Sequence, residues 1–241
     1  MLNRPKVLNA LNQMMFAEIN DVLNKIENDS AVNVLIITGA GNKAFSAGAD
    51  IHEMLAQSDV KTGLPEKTDE QTWLPWRLAK FPKPTIGAVN GLAYGGGAVI
   101  ASSLDIRIGC DLSKFRFLAA SYGRLNATWS LPMQVGWPIA KELLFTARVV
   151  EAAEALNIGL LNHMVSTDLV LTRAKEIALT IAENDPNMVT GIKGLLIGHV
   201  GSSWAEMFNE ELSIISEKLK PTSVAEGFKD FFERKRETKS K

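Results

Sequence analysis

Three consecutive glycines set just behind an apolar strand narrow what this chain can become more than any other feature. Thr85–Val89 is an apolar run that ends in Asn90-Gly91, and only Leu92-Ala93-Tyr94 separates that turn from Gly95-Gly96-Gly97. Residues 98–104 then suit a short buried helix. A strand that turns through glycines into a helix leaves free N–H groups and the positive end of the helix dipole at one point, a place for an oxyanion or a phosphate. A phosphate-cradling nucleotide loop calls for Lys-Ser or Lys-Thr after the glycines, and Ala98-Val99 follows instead. A second turn has related character. In Ala44-Phe45-Ser46-Ala47-Gly48-Ala49-Asp50, small residues after a strand let a ligand approach the backbone, and Asp50 is placed to cap a helix beginning at Ile51.

Around these turns the pattern alternates. Leu11, Met15, Ile19, Val22 and Ile26 recur at helical spacing, residues 32–38 form an apolar strand, and residues 106–110 a third one. Strands alternating with helices predict an α/β fold with a largely buried sheet. Beyond Pro138 helices are expected near 141–146, 169–184, 188–199, 204–219 and 224–236. The organisation is one core, residues 1–185, with a helical region at 186–241, and the polar stretch 58–71 reads as a mobile loop. Phe208, Leu212 and Ile215, then Phe228, Phe231 and Phe232, make apolar stripes on the last two helices, to pack on the body, the expected use, or else on a neighbouring subunit.

Charge and composition exclude several classes. The 241 residues are 46% hydrophobic, and 26 Lys plus Arg against 27 Asp plus Glu leave a net charge of -1, so no global field favours nucleic acid or an anionic membrane. The single cysteine, Cys110, excludes an internal disulfide, and a cytoplasmic or organelle-matrix location is expected. His163 and His199 lack metal-ligand spacing, so no metal is expected. His52 and Glu53 read as solvated, and the five tryptophans, Trp73, Trp76, Trp129, Trp137 and Trp204, as core residues.

Taken in order along the chain, the motifs resemble the enoyl-CoA hydratase/isomerase (crotonase) superfamily. The matching pieces are Leu2-Asn3-Arg4-Pro5 with Leu8-Asn9-Ala10-Leu11, the 44–51 turn, 83–91 with the glycine triplet, Asp105-Ile106-Arg107-Ile108, 143–148, 152–155, 159–162, and Glu226-Gly227 before 232–236. The resemblance implies a ClpP-like spiral of ββα units followed by a C-terminal helical trimerisation region, in homotrimers or in hexamers built as dimers of trimers. It implies an acyl-CoA thioester as ligand, with no cofactor beyond the coenzyme A moiety itself. By matching position, the amides of Ala49 and Gly96 form an oxyanion hole for an enolate-like thioester. Ser46, Ala47, Gly48, Asp50 and Ile51 fall where coenzyme A is met, as do the bases Arg4, Lys6 and, from an adjacent subunit, Lys235.

Two departures bear on the reaction. Hydratases of the family carry one glutamate two residues after the glycine triplet and another after the strand that is here 115–117; those positions hold Val99 and Ala119, neither of which transfers a proton. The segment 123–132 is also about three residues shorter than usual. Tyr94 and Asn126 are the polar residues best placed to replace the acids. An edge strand ordinarily precedes the segment matching Asn3-Arg4-Pro5. The expected activity is therefore isomerase, lyase or related enolate chemistry and not ordinary hydration. Two other readings stay open: an acyl-CoA-binding sensor without turnover, and a serine hydrolase using Ser102 or Ser103.

Overall fold

A computed structural model describes residues 1–57, 73–229 and 231. The strands lie in two sheets of four. The first has the order β1 (Leu35–Thr38), β3 (Thr85–Val89), β5 (Ile106–Gly109) and β8 (His163–Met164), all parallel. The second runs β2 (Ala44–Ser46), β4 (Leu92–Tyr94), β6 (Lys114–Arg116) and β7 (Val150–Glu151), parallel except at the β6–β7 pair. Helix α1 (Gln13–Glu27) precedes β1, while α2 (Ile51–Gln57) and α3 (Leu74–Ala79) separate β2 from β3. After β4 comes α4 (Gly96–Ser102); α5 (Leu131–Val135) and α6 (Trp137–Thr146) follow β6, α7 (Ala152–Asn157) follows β7 and α8 (Val170–Ala182) follows β8. The chain ends in α9 (Pro186–Gly198), α10 (Trp204–Glu217) and α11 (Val224–Gly227).

Each odd strand of the first sheet hands the chain to the second sheet and then to a helix, which is the ββα spiral expected. Both faces of the first sheet are covered. On one, Ile86, Ala88 and Ile108 pack against Val170, Ala174 and Ile177 of α8; on the other, Ile37 and Val89 join the main core with Leu23 of α1 and Phe45. Burial on two sides explains why these strands read as continuous apolar runs without alternation.

The single buried sheet of the sequence reading is thus two sheets. Ala44–Ser46 and Leu92–Tyr94, read as parts of turns, are strands that pair with each other. Three residues are too few to show a period, and the partner lies far away in sequence. The first strand begins at Leu35, not at residue 32, and α3, α5 and α7 are further short elements that carry no periodic signal. The polar stretch 58–71 lies outside the described residues, as do Phe232, Lys235 and the rest of 232–241.

Contacts divide the chain into two compact units, Met1–Val189 and Thr190–Lys241, the division falling inside α9. In the second, α10 opens on a capping box in which Ser203 Oγ accepts from Glu206 N at 3.3 Å and Glu206 Oε2 accepts from Ser203 N at 2.7 Å. The stripe Phe208, Leu212 and Ile215, expected in a core, stays exposed, as do Phe228 and Phe231. In the first unit, β1 is an edge strand whose outer side carries a single bridge among the described residues, Leu2 to Gly39, above a groove of about 330 Å³ lined by Met15, Ile19, Leu23, Leu35 and Ile37.

Arg107 is the largest fully buried side chain. Its guanidinium donates to Leu160 O at 2.6 Å, Leu104 O at 2.5 Å and Gln134 Oε1 at 2.6 Å, so one cation closes the ends of three connections. Burial pulls its pKa down to about 10, which still leaves it charged at neutral pH. Replacing it by Met strands two buried carbonyls, at about 1 to 3 kcal/mol each, and frees the half-buried Gln134 Oε1. Arg107→Met is expected to lose about 3 kcal/mol or more of stability, read as a lower urea midpoint with an unchanged slope.

Candidate active site

Strands β2 and β4 are adjacent and parallel, with Ala44 opposite Leu92 and Ser46 opposite Ala93. Their carboxyl ends therefore open side by side, and each feeds a helix, α2 or α4. This is what brings the two glycine-bearing turns together. The contact is close: a Cβ on Gly48 would stand 2.6 Å from Tyr94 O and 2.8 Å from Gly96 N, and Gly48 has φ +90°. Only glycine fits there.

The three consecutive glycines are required for three different reasons. Gly95, at φ 50° and ψ -120°, has open space around it but a backbone that other residues avoid. Gly97 has an ordinary backbone, but its Cβ would run into Ser46 O. Gly96 is constrained by neither, since a Cβ there would meet Leu11 Cδ1 at 3.3 Å and Ala49 N at 3.5 Å. The fold asks little of Gly96. What its lack of a side chain keeps clear is the space beside its own amide and that of Ala49.

Those two amides are unpaired among the described residues. Gly96 N–H is the first of α4 and has no residue to donate to within the helix. For Ala49 the neighbours explain it. Leu11 N donates to Gly48 O at 2.7 Å and Asp50 N donates to Leu11 O at 2.9 Å. In a trans peptide the N–H points opposite to the preceding C=O. Gly48 O faces Leu11, so Ala49 N–H faces away from Leu11. The arrangement leaves two unpaired donors on neighbouring turns.

The side chains nearby mostly serve the turn. Ser46 is fully buried, its Oγ donating to Asn9 O at 2.9 Å and accepting from Gly48 N at 3.1 Å. Asp50 Oδ1 accepts from His52 N at 3.2 Å and Glu53 N at 3.4 Å, capping α2 as the sequence suggests, while its Oδ2 meets Arg4 at 2.8 Å. Glu53, read as merely solvated, accepts from Gln13 N at 2.8 Å and so caps α1. Ile51 and Lys6 are exposed and Ala47 is half-buried. Sequence reasoning gave no role to Asn9, which is fully buried and donates to Ala40 O at 3.0 Å and Ala44 O at 2.8 Å. Its place in the Leu8-Asn9-Ala10-Leu11 motif was the available signal.

Val99 and Ala119 are both buried. Ser102 and Ser103 are buried too, and both hydroxyls donate to Val99 O, at 3.0 and 2.8 Å. Hydroxyls spent on their own helix do not act as nucleophiles beside a base, and the serine hydrolase reading is dropped. Tyr94 ends β4 half-buried, opposite in pleat to the fully buried Ala93. Asn126 Oδ1 is buried with no hydrogen-bond partner, an acceptor left open. No cluster of three potential metal ligands occurs among the described residues. The tryptophans are not core residues as expected: Trp73, Trp129, Trp137 and Trp204 are exposed. Trp76 of α3 instead meets Trp129 edge to face at 5.3 Å, joining α3 to the 123–132 segment.

The family pattern described as enoyl-CoA hydratase/isomerase matches residues 1–240. This chain belongs to that family. Within it, the chain is 43% identical to a short-chain-enoyl-CoA hydratase of Clostridium acetobutylicum over 188 residues, 77% of this chain and 71% of that protein. It is 40% identical to a crotonyl-CoA hydratase of Syntrophomonas wolfei, over 73% of this chain and 68% of that one. Among solved structures, an enoyl-CoA hydratase from Bacillus anthracis matches with TM-score 0.85 at 28% identity, covering 96% of this chain and 90% of its own. A monofunctional enoyl CoA isomerase from M. smegmatis matches with TM-score 0.70 at 27% identity, over 86% of this chain and 90% of that one.

The hydrogen bond from Arg4, with those from the amides of Glu53 and His52, holds the Asp50 carboxyl below its ordinary value of 3.8. A depressed carboxylate stabilises the turn at all pH values above the unfolded-chain value, and that contribution disappears as pH falls through the depressed one. NMR titration of the Asp50 carboxyl is expected to give a midpoint below 3.8; a midpoint at or above it would contradict the pairing with Arg4.

Proposed function

We propose that the chain binds an acyl-CoA thioester with its carbonyl oxygen between the Ala49 and Gly96 amides, which stabilise the enolate-like charge formed when Cα loses or gains a proton. The observation that carries this reading is the pair of unpaired N–H groups on closely packed turns, in a chain of the enoyl-CoA hydratase/isomerase family. Preorganised backbone donors cost no rearrangement at the moment of reaction, and one such donor is typically worth about 3 to 4 kcal/mol of barrier. The backbone of the 46–51 turn meets the coenzyme A moiety, and the exposed Lys6 faces its phosphates. The exposed stripe of α10 and the aromatic residues after α11 serve assembly into homotrimers or hexamers.

The reaction is enolate chemistry other than routine water addition: isomerisation, carbon–carbon lysis, decarboxylation or thioester hydrolysis. Water addition needs one group to deprotonate water and one to protonate Cα, each worth about 10²- to 10⁴-fold. Val99 and Ala119 supply neither. Tyr94 and Asn126 are the polar groups assigned to the acyl end. The same two apolar residues favour a second reading, an acyl-CoA-binding sensor or partner protein without turnover.

Purified wild type and Gly96→Val, incubated with a panel of acyl-CoAs and followed by mass spectrometry, test the reading. Wild type is expected to bind and convert at least one thioester, and to hydrate crotonyl-CoA several orders of magnitude more slowly than a two-glutamate hydratase. Gly96→Val is expected to fold and to lose binding or turnover. Binding without any product selects the sensor; unchanged affinity and activity in folded Gly96→Val removes the oxyanion assignment. Rapid crotonyl-CoA hydration by wild type would place the proton carriers on other residues.

A further inference from the structure

Arg4 falls where a contact with coenzyme A phosphates is expected, yet its guanidinium is turned onto the protein. A single nitrogen, NH1, donates both to Ala10 O and to Asp50 Oδ2, each at 2.8 Å. These acceptors sit on the two sides of one small ladder. Residues 8–11 form one side and 47–50 the other, tied by Ala47 N to Leu8 O at 2.9 Å, Leu11 N to Gly48 O at 2.7 Å and Asp50 N to Leu11 O at 2.9 Å. Arg4 also donates its own backbone N–H to Asn9 Oδ1 at 3.0 Å, so it is anchored to the first side before it reaches across to the second.

The middle bond of that ladder sets the direction of the Ala49 amide, because Gly48 C=O and Ala49 N–H share one peptide plane. Anything that lets residues 8–11 slide against 47–50 rotates this plane. We propose that Arg4 is a positioning residue: by straddling Ala10 O and the Asp50 carboxylate it holds the Ala49 N–H aimed at the substrate's carbonyl oxygen. The inference rests on the reading that Ala49 and Gly96 receive that oxygen. It assigns Arg4 a task distinct from phosphate contact, and Asp50 a second task beside capping α2. The Arg4 and Asp50 side chains are 31% and 13% exposed, so solvent screens the pair and its main product is geometry, not stability.

The test uses the full chain, Arg4→Gln, Asp50→Asn and the double variant, with two ligands at saturation: cinnamoyl-CoA and cinnamoyl-pantetheine, which has the same thioester but no phosphates. Hydrogen bonds to the thioester carbonyl polarise the conjugated chromophore and shift its absorbance to the red. Wild type is expected to shift both ligands. Arg4→Gln is expected to lose half or more of the shift with both, to keep its affinity for free coenzyme A within about twofold, and to lose about 10- to 100-fold in kcat on any thioester the protein converts, as a misplaced contact does. The double variant is expected to lose no more than the worse single one. Arg4→Lys, which keeps the charge but not the planar fork, is expected to fall between and remains informative if Arg4→Gln does not fold.

A full red shift in Arg4→Gln, with weaker binding of cinnamoyl-CoA alone, would overturn the proposal in favour of phosphate contact. Additive losses in the double variant would show that Arg4 does not act through Asp50. Binding by wild type with no red shift of either ligand would defeat the oxyanion reading itself, and the inference with it.

Discussion

Everything distinctive in this molecule depends on the parallel pairing of two three-residue strands, β2 and β4. Parallel neighbours end on the same side, so the loops that leave them must share a small volume. Gly48 and Gly97 are what allow that sharing, since a side chain on either would meet the backbone of the opposite turn. Once the turns are that close, two N–H groups that a helix start and a bridged peptide leave unpaired come to lie together. The donor pair is a by-product of packing backbone on backbone.

Such packing leaves many carbonyls where water does not reach, and the chain answers with a few long-range polar side chains. Asn9 satisfies Ala40 O and Ala44 O at the crossover from β1 to β2. Asn90, at the end of β3, donates to Gly39 O at 2.9 Å and Gly41 O at 2.7 Å and accepts from Gly39 N at 3.1 Å, tying the same crossover to the next strand. Arg107 does likewise one strand further along. In the helical half, Arg148 bonds Glu154 at 2.5 Å and Glu142 at 2.7 Å, fixing the α6 end against α7 and holding the Glu154 carboxyl below its ordinary value. These residues recur among the motifs by which the family is recognised, and their contacts give a physical reason for that.

The sequence made the longer elements legible because burial writes a period or an apolar run into them. Thr85–Val89 and the helix carrying Met15 to Ile26 needed nothing else, although Leu11, which fits the same period, lies before the helix and bridges to Ala49. What it left illegible has two causes. Short strands such as Ala44–Ser46 are defined by a partner nearly fifty residues away, which no local window contains. Polar ties such as Asn9 look like any surface asparagine until the acceptors are seen. The tryptophans fail differently: size argued for burial, but Trp129 and Trp137 lie on an exposed segment where only Trp76 gives one of them a ring to pack on. The two glycine-bearing turns were readable in the sequence; the reason Ala49 N–H points away from Leu11 was not, because it rests on the bridge between those residues.

The open side of β1 has a consequence for handling the protein. Leu-Ile-Ile-Thr is short, uncharged and free of proline, and beyond Leu2 its outer hydrogen-bonding groups meet no other strand among the described residues. Exposed edges of that kind are templates for a passing chain, and proteins usually guard them with lysine, proline or a bulge. None of those guards is present here. A single lysine facing outward from β1 is expected to guard this edge in the same way.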